Sequence, residues 1–448
     1  MAKKRALFVC GSCGAESGTW AGKCFSCGEW NTLQEMVTSA GTGASSGGRS
    51  LQSQTSSQAA KVNTTRLQTG MKDVDVVFGG GIVPGGLMLI AGEPGIGKST
   101  LLLQIAASVA NNHKVLYVSG EESNHQVGLR VDRLKANAKN LQLANSTVIE
   151  DIAASINSSD YDLVVVDSIQ TMSSNAVASS AGSVSQITSC THILMNAAKS
   201  SNTAVLVVGH VTKEGSIAGP KLLEHIVDVV LQLEGDRYGG FKLLRTVKNR
   251  FGSTNEVAIF EMQESGMVIV DNPSEALLAE RQITDGSVVL ATMEGSRPIL
   301  VEVQALVNKT SYGYPKRAAS GIDLNRLNLL VAMLERRTKL NLADQDIYLN
   351  VVGGIKANEP AADLAIALAI GSAARGMKLK QNAVVFGELG LSGEVRHVPY
   401  VERRVAEAKK LGFEVAIGPV QRANSGKKDK FLFGVRDIRT ALNTFLET

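Results

Sequence analysis

The segment that decides the fold is Gly92-Glu93-Pro94-Gly95-Ile96-Gly97-Lys98-Ser99, which fits the phosphate-binding pattern G-x-x-x-x-G-K-[ST] at every fixed position. Residues 87–91 before it form a short apolar run, which is typical of a buried parallel strand. Residues 100–111 after it carry apolar side chains at helical spacing. This order predicts a strand, a loop and a helix, with loop N–H groups turned inward around a phosphate where a Cβ would obstruct them.

Two side chains of this loop supply the chemistry of a nucleoside triphosphate site. Lys98 brings a positive charge to the outer phosphates, the hydroxyl of Ser99 suits Mg²⁺, and the helix N-terminus adds partial positive charge. The pattern predicts a nucleoside triphosphate and Mg²⁺ as ligands, because a glycine-rich turn without a ligand fits the strand-loop-helix context poorly. The expected nucleotide contacts are Gly92, Glu93, Pro94, Gly95, Ile96, Gly97, Lys98, Ser99 and Thr100.

Length and composition favour a multidomain globular protein. At 448 residues the chain exceeds what one hydrophobic core usually serves, so two or three domains are expected. Hydrophobic residues make up 44% and charged residues 20%, and the net charge of +4 permits an anionic partner without requiring one. Residues 6–10 are too short an apolar run for a signal peptide, and nowhere do about 18 apolar residues run together. We therefore expect a cytoplasmic protein without membrane contact.

Four of the five cysteines lie in two C-x-x-C pairs near the start of the chain. Ten residues separate the pairs, a spacing that lets four thiolates converge tetrahedrally on one Zn²⁺. Four unligated cysteines are the alternative, but a module of about 30 residues needs a staple to hold its fold. The predicted zinc ligands are Cys10, Cys13, Cys24 and Cys27.

Changes in composition divide the chain into four parts. Residues 38–58 are almost wholly Gly, Ser, Thr, Ala and Gln, which bury too little apolar surface to become ordered, so a flexible linker is predicted. Apolar strands then alternate with helical segments to about residue 270, which predicts a parallel sheet with helices on both faces. The expected layout is a zinc module (1–37), the linker (38–58), a P-loop ATPase domain (59–271) and a second α/β domain (272–448).

Polar residues follow the predicted strands at the edge where parallel sheets bind ligands. Asp167 ends the strand 162–167 and suits Mg²⁺, the alternative being a helix N-cap. Glu121 and Glu122 follow a strand that ends at residue 119, and either carboxylate is suited to orient the attacking water, with Glu121 slightly preferred. His210 ends another strand, and a γ-phosphate sensor and a structural histidine are about equally expected there.

Three further motifs accompany the phosphate loop: GEES at 120–123, GHVTKEG at 209–215 and KNRFG at 248–252. With the four-cysteine module and the C-terminal part, they make essentially the whole chain resemble the RadA (Sms) family of bacterial recombination and repair ATPases, which is related to RecA. The resemblance implies a RecA-like core that forms a hexameric ring on single-stranded DNA, uses ATP to drive branch migration and works with a RecA-type recombinase. It also implies that Lys248 and Arg250 reach a neighbouring subunit's nucleotide site, where cations stabilise transition-state charge; a solvated basic loop is the alternative.

DNA contacts are expected from the loops after the two central strands, residues 171–189 and 211–224, as in RecA-like proteins. The second loop carries Lys213 and Lys221, which suit DNA phosphates. Basic residues also lie among tyrosines in the second domain, a pattern that favours nucleic-acid binding, and these are Lys309, Lys316 and Arg317. Another basic group is at least as well explained by a solvated face: Arg422, Lys427, Lys428 and Lys430.

The second domain resembles the proteolytic domain of Lon but lacks its catalytic dyad. Ala361 follows Pro360 where Lon has its nucleophilic serine, and Glu402 is at the position expected for the catalytic lysine. Without a nucleophile or its base, acyl transfer has no route, so a scaffold for assembly and DNA binding is expected.

The sequence therefore predicts an ATP-driven DNA-remodelling enzyme of recombinational repair. Two other classes are kept as alternatives. A non-motor nucleotide switch that binds protein partners would hydrolyse ATP slowly and regardless of DNA. An ATP-dependent protease would degrade a casein-type substrate.

Overall fold

The computed structural model describes residues 7–10, 15–36, 55, 65–158, 160–210, 222–235, 240–311, 313–379, 382–421 and 429–447. The chain divides into two compact units, the first comprising Met1–Glu234, Leu244–Thr254 and Gln263–Met267, and the second Gly235–Leu243, Asn255–Met262 and Val268–Thr448. The predicted linker lies outside the described residues except for Thr55. The four-part layout stays a prediction.

Strands and helices are numbered in chain order. The strands are β1 (Leu7–Cys10), β2 (Glu16–Ser17), β3 (Leu33–Met36), β4 (Leu87–Gly92), β5 (Val115–Ser119), β6 (Leu141–Asn145), β7 (Leu163–Asp167), β8 (Ala204–His210), β9 (Val229–Gly235), β10 (Lys242–Asn249), β11 (Val257–Gln263), β12 (Gly266–Ile269), β13 (Ser287–Glu294), β14 (Arg297–Lys309), β15 (Arg317–Ser320), β16 (Gln345–Val351), β17 (Lys378–Leu379), β18 (Ala383–Val385), β19 (Glu388–Leu389), β20 (Val395–Arg396), β21 (Val415–Pro419), β22 (Leu432–Val435) and β23 (Leu446–Glu447). The helices are α1 (Lys72–Val77), α2 (Lys98–Val109), α3 (Asn124–Arg133), α4 (Ile149–Asn157), α5 (Val184–Ser201), α6 (Leu222–Ile226), α7 (Pro273–Leu278), α8 (Leu324–Thr338), α9 (Asp363–Arg375), α10 (Val401–Lys410) and α11 (Ile438–Phe445). None of these described helices is long and apolar enough to span a lipid bilayer.

The phosphate loop belongs to a nine-stranded sheet in the order β12-β11-β10-β9-β4-β8-β7-β5-β6. From β9 to β6 every neighbouring pair of strands is parallel. β4, β5 and β7 are buried along their whole length, which explains why they read as nearly continuous apolar runs and not as alternating ones. The α/β fold predicted from the sequence is confirmed.

The register of this sheet brings distant polar residues to one edge. β4 pairs with β8 so that Gly92 lies beside His210, and β5 pairs with β7 so that Ser119 lies beside Asp167. Because the carboxyl ends of parallel strands meet at one edge, the phosphate loop and the residues that follow β5, β7 and β8 face the same space. The helix α2 begins there at Lys98, slightly before the predicted start.

The second unit is built on a seven-stranded sheet in the order β15-β16-β14-β13-β18-β21-β22. β13 and β14 form an antiparallel hairpin, whereas β13, β18, β21 and β22 run parallel. The helix α9 is apolar on all sides, and its residues from Leu364 to Ile370 are buried in the core. The strands and helices predicted in this part are present as β13, β14, β16, α8 and α9.

The cysteine-rich segment folds as a three-stranded antiparallel sheet in the order β2-β1-β3. Its hydrophobic core among the described residues consists of Cys10, Cys24 and Leu33, with Phe8 and Ala15 packed against them. A core of this size buries too little apolar surface to stabilise the fold by itself. The sheet therefore depends on a further cross-link, such as a bound metal ion.

Candidate nucleotide site

The phosphate loop owes its path to glycine at three positions. Gly95 has φ 78° and Gly97 has φ 112°, both in the left-handed region that residues with a Cβ seldom adopt. A Cβ on Gly92 would come within 2.6 Å of the carbonyl oxygen of Leu233. The loop can therefore keep its backbone N–H groups available to a phosphate only with these glycines.

The ammonium group of Lys98 lies inside this loop, and the residue is 4% exposed. Its Nζ donates to the carbonyl oxygens of Gly92 and Glu93, at 2.8 and 2.9 Å. Burial lowers the pKa of Lys98 to about 8, although nearby carboxylates, Asp167 foremost, act in the opposite direction. Phosphate oxygens in the loop would replace the carbonyls as acceptors and would favour the charged form.

Asp167 ends β7 and is held by a hydrogen bond that the sequence did not reveal. Its Oδ2 accepts from the hydroxyl of Tyr117 at 2.6 Å. Burial, and then the charge of Asp167, raises the pKa of Tyr117 well above its ordinary value, so the phenol remains a donor. The N-cap alternative is not observed, because Ser168 holds the cap position of the following turn. The only signal for Tyr117 was a tyrosine within an otherwise aliphatic buried strand.

The two glutamates that follow β5 point to different partners. Oε1 of Glu121 accepts a 2.6 Å hydrogen bond from the hydroxyl of Ser168 and lies 3.7 Å from Nε2 of His210. Oε1 of Glu122 instead lies 2.6 Å from a guanidinium nitrogen of Arg130. The geometry favours Glu121 as the carboxylate at the strand ends, and its role in orienting water stays a prediction.

His210 lies between the phosphate loop and Glu121 in the order of the sheet. Burial, and then the charge of Lys98, lowers the pKa of His210, so its imidazole is mainly neutral near neutral pH. Its Nδ1 is shielded from solvent and has no hydrogen-bond partner within the described part of the chain. A neutral imidazole at this edge can either donate to a phosphate oxygen or accept from a donor.

The KNRFG segment, residues 248–252, lies at the amino ends of the parallel strands, whereas the phosphate loop lies at their carboxyl ends. The N–H of Arg250 donates to the carbonyl oxygen of Asp228, whose own N–H donates to the carbonyl oxygen of Leu87, the first residue of β4. The phosphate loop follows the other end of β4, about 16 Å away along the strand. This segment and the phosphate loop of the same chain are therefore too far apart to share one phosphate.

Both cations of the KNRFG segment have partners near these amino ends. Nζ of Lys248 donates to the carbonyl oxygens of Glu224 and Val227, at 2.5 and 2.8 Å. Burial, and then the charge of Arg250, lowers the pKa of Lys248. Nη1 of Arg250 donates to the buried Asp228 at 3.0 Å, although the guanidinium is about half exposed.

The basic residues singled out from the sequence lie partly outside and partly within the described part of the chain. Lys213 and Lys221 lie outside the described residues, as do Arg422, Lys427 and Lys428. Lys309 ends β14 and Arg317 starts β15, and both strands pair with β16, so the structure brings Lys309, Lys316 and Arg317 to one end of three adjacent strands. Lys309 and Lys316 are exposed there. Lys430 is also exposed.

The three described cysteines of the N-terminal sheet converge. The Sγ atoms of Cys10, Cys24 and Cys27 lie within 4.8 Å of one another. Those of Cys10 and Cys27 are 3.7 Å apart, close to the ~3.8 Å between two thiolates on a tetrahedral ion with bonds of about 2.3 Å. Cys13 lies outside the described residues. The donor set fits a structural Zn²⁺.

In the second unit, the interior around Ala361 holds a buried ion pair. Ala361 is 2% exposed, and Glu402 on α10 is exposed to solvent. Arg404, two residues further along α10, is fully buried and donates to both carboxylate oxygens of Glu359, at 2.8 and 2.6 Å. The interior position of this helix is therefore held by Arg404 and not by Glu402. A guanidinium cannot act as a general base.

Models of three protein families match successive parts of the chain. One described as a rubredoxin metal binding domain matches residues 8–35, and one described as an AAA domain matches residues 53–216. One described as subunit ChlI of Mg-chelatase matches residues 329–422. With the sheet order and the phosphate loop, these matches define a P-loop ATPase with a RecA-like core, an N-terminal zinc ribbon and a C-terminal ChlI/Lon-like domain.

Curated relatives extend this similarity to the whole chain. The chain is 48% identical to the DNA repair protein RadA of Listeria monocytogenes over 99% of each protein. It is 49% identical to the RadA of Bacillus subtilis over the full length of both, and 46% identical to that of Aquifex aeolicus over 94% of each. The chain belongs to the RadA family of DNA repair proteins, which confirms the resemblance read from its motifs.

Proposed function

We propose that this DNA repair ATPase is stimulated by single-stranded DNA and works as a ring of identical subunits, six by family resemblance. ATP hydrolysis drives the ring along DNA and promotes branch migration of recombination intermediates, with a RecA-type recombinase as partner. ATP and Mg²⁺ bind at the phosphate loop, and Zn²⁺ holds the N-terminal sheet. The cytoplasmic location expected from the sequence stays a prediction.

The position of the KNRFG segment is the observation that carries the ring proposal. Lys248 and Arg250 lie at the sheet edge opposite the phosphate loop, so neither can contact a nucleotide bound to the same chain. A second copy that presents this edge to the first copy's phosphate loop would bring both cations to the γ-phosphate. Cations supplied in trans stabilise the charge that develops during phosphoryl transfer and link hydrolysis to assembly.

The proposed chemistry within one subunit uses four side chains. Lys98 would hold the outer phosphates, and Ser99 with Asp167 would hold Mg²⁺, which would supply positive charge to the phosphates. Glu121 orients the attacking water, supported by its hydrogen bond from Ser168. These four roles are supported by the way the carboxyl ends of the parallel strands bring the side chains together. None of them requires a residue of the KNRFG segment.

DNA is proposed to follow the basic end of the strands around β16 in the second unit. Exposed Lys309 and Lys316 suit a phosphate backbone, and each neutralised phosphate contributes to a salt-dependent affinity. Replacing both lysines with alanine is expected to weaken binding of a single-stranded oligonucleotide and to reduce the salt slope by about 1.4. Lys378→Ala, an exposed lysine elsewhere in the unit, serves as control. An unchanged slope in the double variant would place the DNA path elsewhere.

The first experiment compares the ATPase rate with and without a single-stranded oligonucleotide at two salt concentrations, for the wild-type protein and Lys98→Ala. Stimulation that weakens with salt and disappears in the variant supports a DNA-coupled motor. A rate unaffected by DNA at low salt would favour the nucleotide switch. Extension of a three-strand junction by the wild-type protein, with ATP present, tests branch migration itself.

Mixing two inactive variants tests whether the cations act in trans. Arg250→Ala lacks the cation but keeps its phosphate loop, whereas Lys98→Ala lacks the loop lysine but keeps Arg250. Mixed assemblies contain interfaces with both intact groups, so ATPase activity is expected to return on mixing. Arg245→Ala, which removes a partly exposed arginine paired with Glu234, is the matched control and should stay active. If the two variants co-assemble but stay inactive when mixed, the proposal that Arg250 acts on the neighbouring subunit's nucleotide is wrong.

A further inference from the structure

The KNRFG segment packs against a turn of three consecutive glycines that precedes β4. Gly79, Gly80 and Gly81 have φ values of 87°, 108° and 117°, which residues with a Cβ seldom adopt. The N–H groups of Gly80 and Gly81 both donate to the carbonyl oxygen of Asp75 in α1. The turn is therefore fixed to α1, and it presents backbone without side chains to its neighbour.

The backbone of the KNRFG segment lies directly against this glycine turn. A Cβ on Gly252 would come within 2.8 Å of Cα of Gly79, and a Cβ on Gly79 would come within 3.1 Å of Cα of Gly252. A Cβ on Gly79 would also come within 3.3 Å of the carbonyl oxygen of Phe251. Two backbones can approach this closely only where neither residue carries a side chain. The contact explains why the segment ends in glycine.

Arg66 joins the two backbones with one side chain. Its Nη1 donates to the carbonyl oxygen of Gly79, and its Nη2 donates to that of Phe251 at 3.0 Å. The first carbonyl belongs to the glycine turn, and the second belongs to the residue that follows Arg250. A guanidinium can hold two carbonyls at once because its N–H groups lie in one rigid plane.

The residue between these anchors is Arg250. Its N–H donates to the carbonyl oxygen of Asp228 at 3.1 Å, and the peptide carbonyl of Phe251 is held by Arg66. The guanidinium of Arg250, in contrast, is about half exposed. Arg250 thus combines a fixed backbone with an accessible charge, which is the arrangement that a residue acting on another subunit requires.

We propose that Arg66 is a positioning residue of the ATPase, which fastens the KNRFG segment to the glycine turn so that Arg250 reaches the nucleotide of a neighbouring copy. The inference rests on the proposed function, in which Arg250 acts in trans. Arg66 makes its contacts before β4 begins, whereas the phosphate loop follows the other end of that strand. Its loss therefore slows hydrolysis at the neighbour's site and leaves nucleotide binding by its own chain intact.

The first test replaces Arg66 with methionine, which keeps an unbranched stem and removes both hydrogen bonds. Measured without DNA, kcat is expected to fall about tenfold, because small misplacements of a transition-state contact are costly. Binding of a fluorescent ATP analogue should stay within about twofold. Gln68→Ala is the matched control, since it removes a 3.1 Å hydrogen bond from Nε2 to the carbonyl oxygen of Gly80 in the same turn but leaves the guanidinium of Arg66 in place. A wild-type kcat in Arg66→Met, an equal loss in Gln68→Ala, or loss of analogue binding would overturn the proposal.

Mixing Arg66→Met with the inactive Lys98→Ala tests whether Arg66 acts across the subunit boundary. In a random one-to-one mixture about half of the Arg66→Met phosphate loops face a subunit with intact Arg66, so the rate per Arg66→Met subunit should rise about fivefold. A role confined to its own chain gives no such rise. If the variants co-assemble without a rise while Arg250→Ala and Lys98→Ala restore each other, only the role of Arg66 is wrong. If neither mixture gains activity, the trans arrangement of the proposed function is wrong, and the role of Arg66 falls with it.

Discussion

At the scale of single residues, two adjacent carboxylates are expected to behave differently. Glu121 faces Ser168 and His210, whereas Glu122 is paired with Arg130. Glu121→Gln should reduce ATP hydrolysis at least about 100-fold and leave binding of a fluorescent ATP analogue intact, because the amide keeps the shape but loses the basic oxygen that orients water. Glu122→Gln is the control and should hydrolyse ATP within a few-fold of the wild-type rate. The reverse pattern would assign the water to Glu122.

Lys98 provides a pH-dependent signature of nucleotide binding. Burial lowers its pKa to about 8 in the free protein, and phosphate charges raise it on binding. At about pH 8.5 most of the free protein carries neutral Lys98, so binding of ATP with Mg²⁺ should take up ~0.7 proton, and this uptake should vanish toward about pH 6.5. Titration calorimetry in two buffers with different ionisation enthalpies measures it. Lys98→Arg, which stays charged throughout, should show no such uptake, and an equal uptake in that variant would assign the proton to another group.

At the scale of elements, the buried Arg404 ties α10 to the segment that precedes α9. Its guanidinium binds the carboxylate of Glu359, which also accepts hydrogen bonds from Thr292 and from the N–H of Met293 on β13. Arg404→Ala removes one partner of a buried pair and should lower the free energy of unfolding by about 3–5 kcal/mol in chemical denaturation. Glu402→Ala, on the exposed side of the same helix, should change it by less than about 0.5 kcal/mol. Comparable losses from both variants would contradict the burial seen at Arg404.

At the scale of the whole molecule, the zinc ribbon and the ATPase core are expected to be separable in stability. Among its described residues the ribbon has only Cys10, Cys24 and Leu33 as a buried core, whereas the nine-stranded sheet has its own extensive core. Cys10→Ser should abolish stoichiometric zinc, measured by metal analysis, because three thiolates bind it less tightly than four. Basal ATP hydrolysis without DNA should stay within about twofold of the wild type. If the variant kept a full equivalent of zinc, the predicted ligand set would be wrong. If basal hydrolysis were lost, the ribbon and the ATPase core would not be independent in stability.

Much of the architecture followed from local patterns in the chain. The phosphate loop is recognisable because all its fixed residues lie within eight consecutive positions. The zinc ligands are recognisable because C-x-x-C spacing lets both thiolates of a pair reach one metal ion. Continuous apolar runs predicted the parallel strands, since strands covered on both faces need no polar residues. Arg404 was not singled out from the sequence, because which residues of α10 face the interior depends on packing against other elements.

The sequence by itself determined the class of the protein: a zinc ribbon, a P-loop ATPase and a Lon-like domain. These features depend on residue types at short, fixed separations along the chain. Only the tertiary structure decided that Tyr117 holds Asp167, that Glu121 and not Glu122 faces His210, that Arg66 joins the KNRFG segment to the glycine turn, and that the KNRFG segment faces away from its own phosphate loop. The physical reason is strand register, because hydrogen bonding between strands far apart in the chain sets which side chains meet, and no local pattern records that pairing.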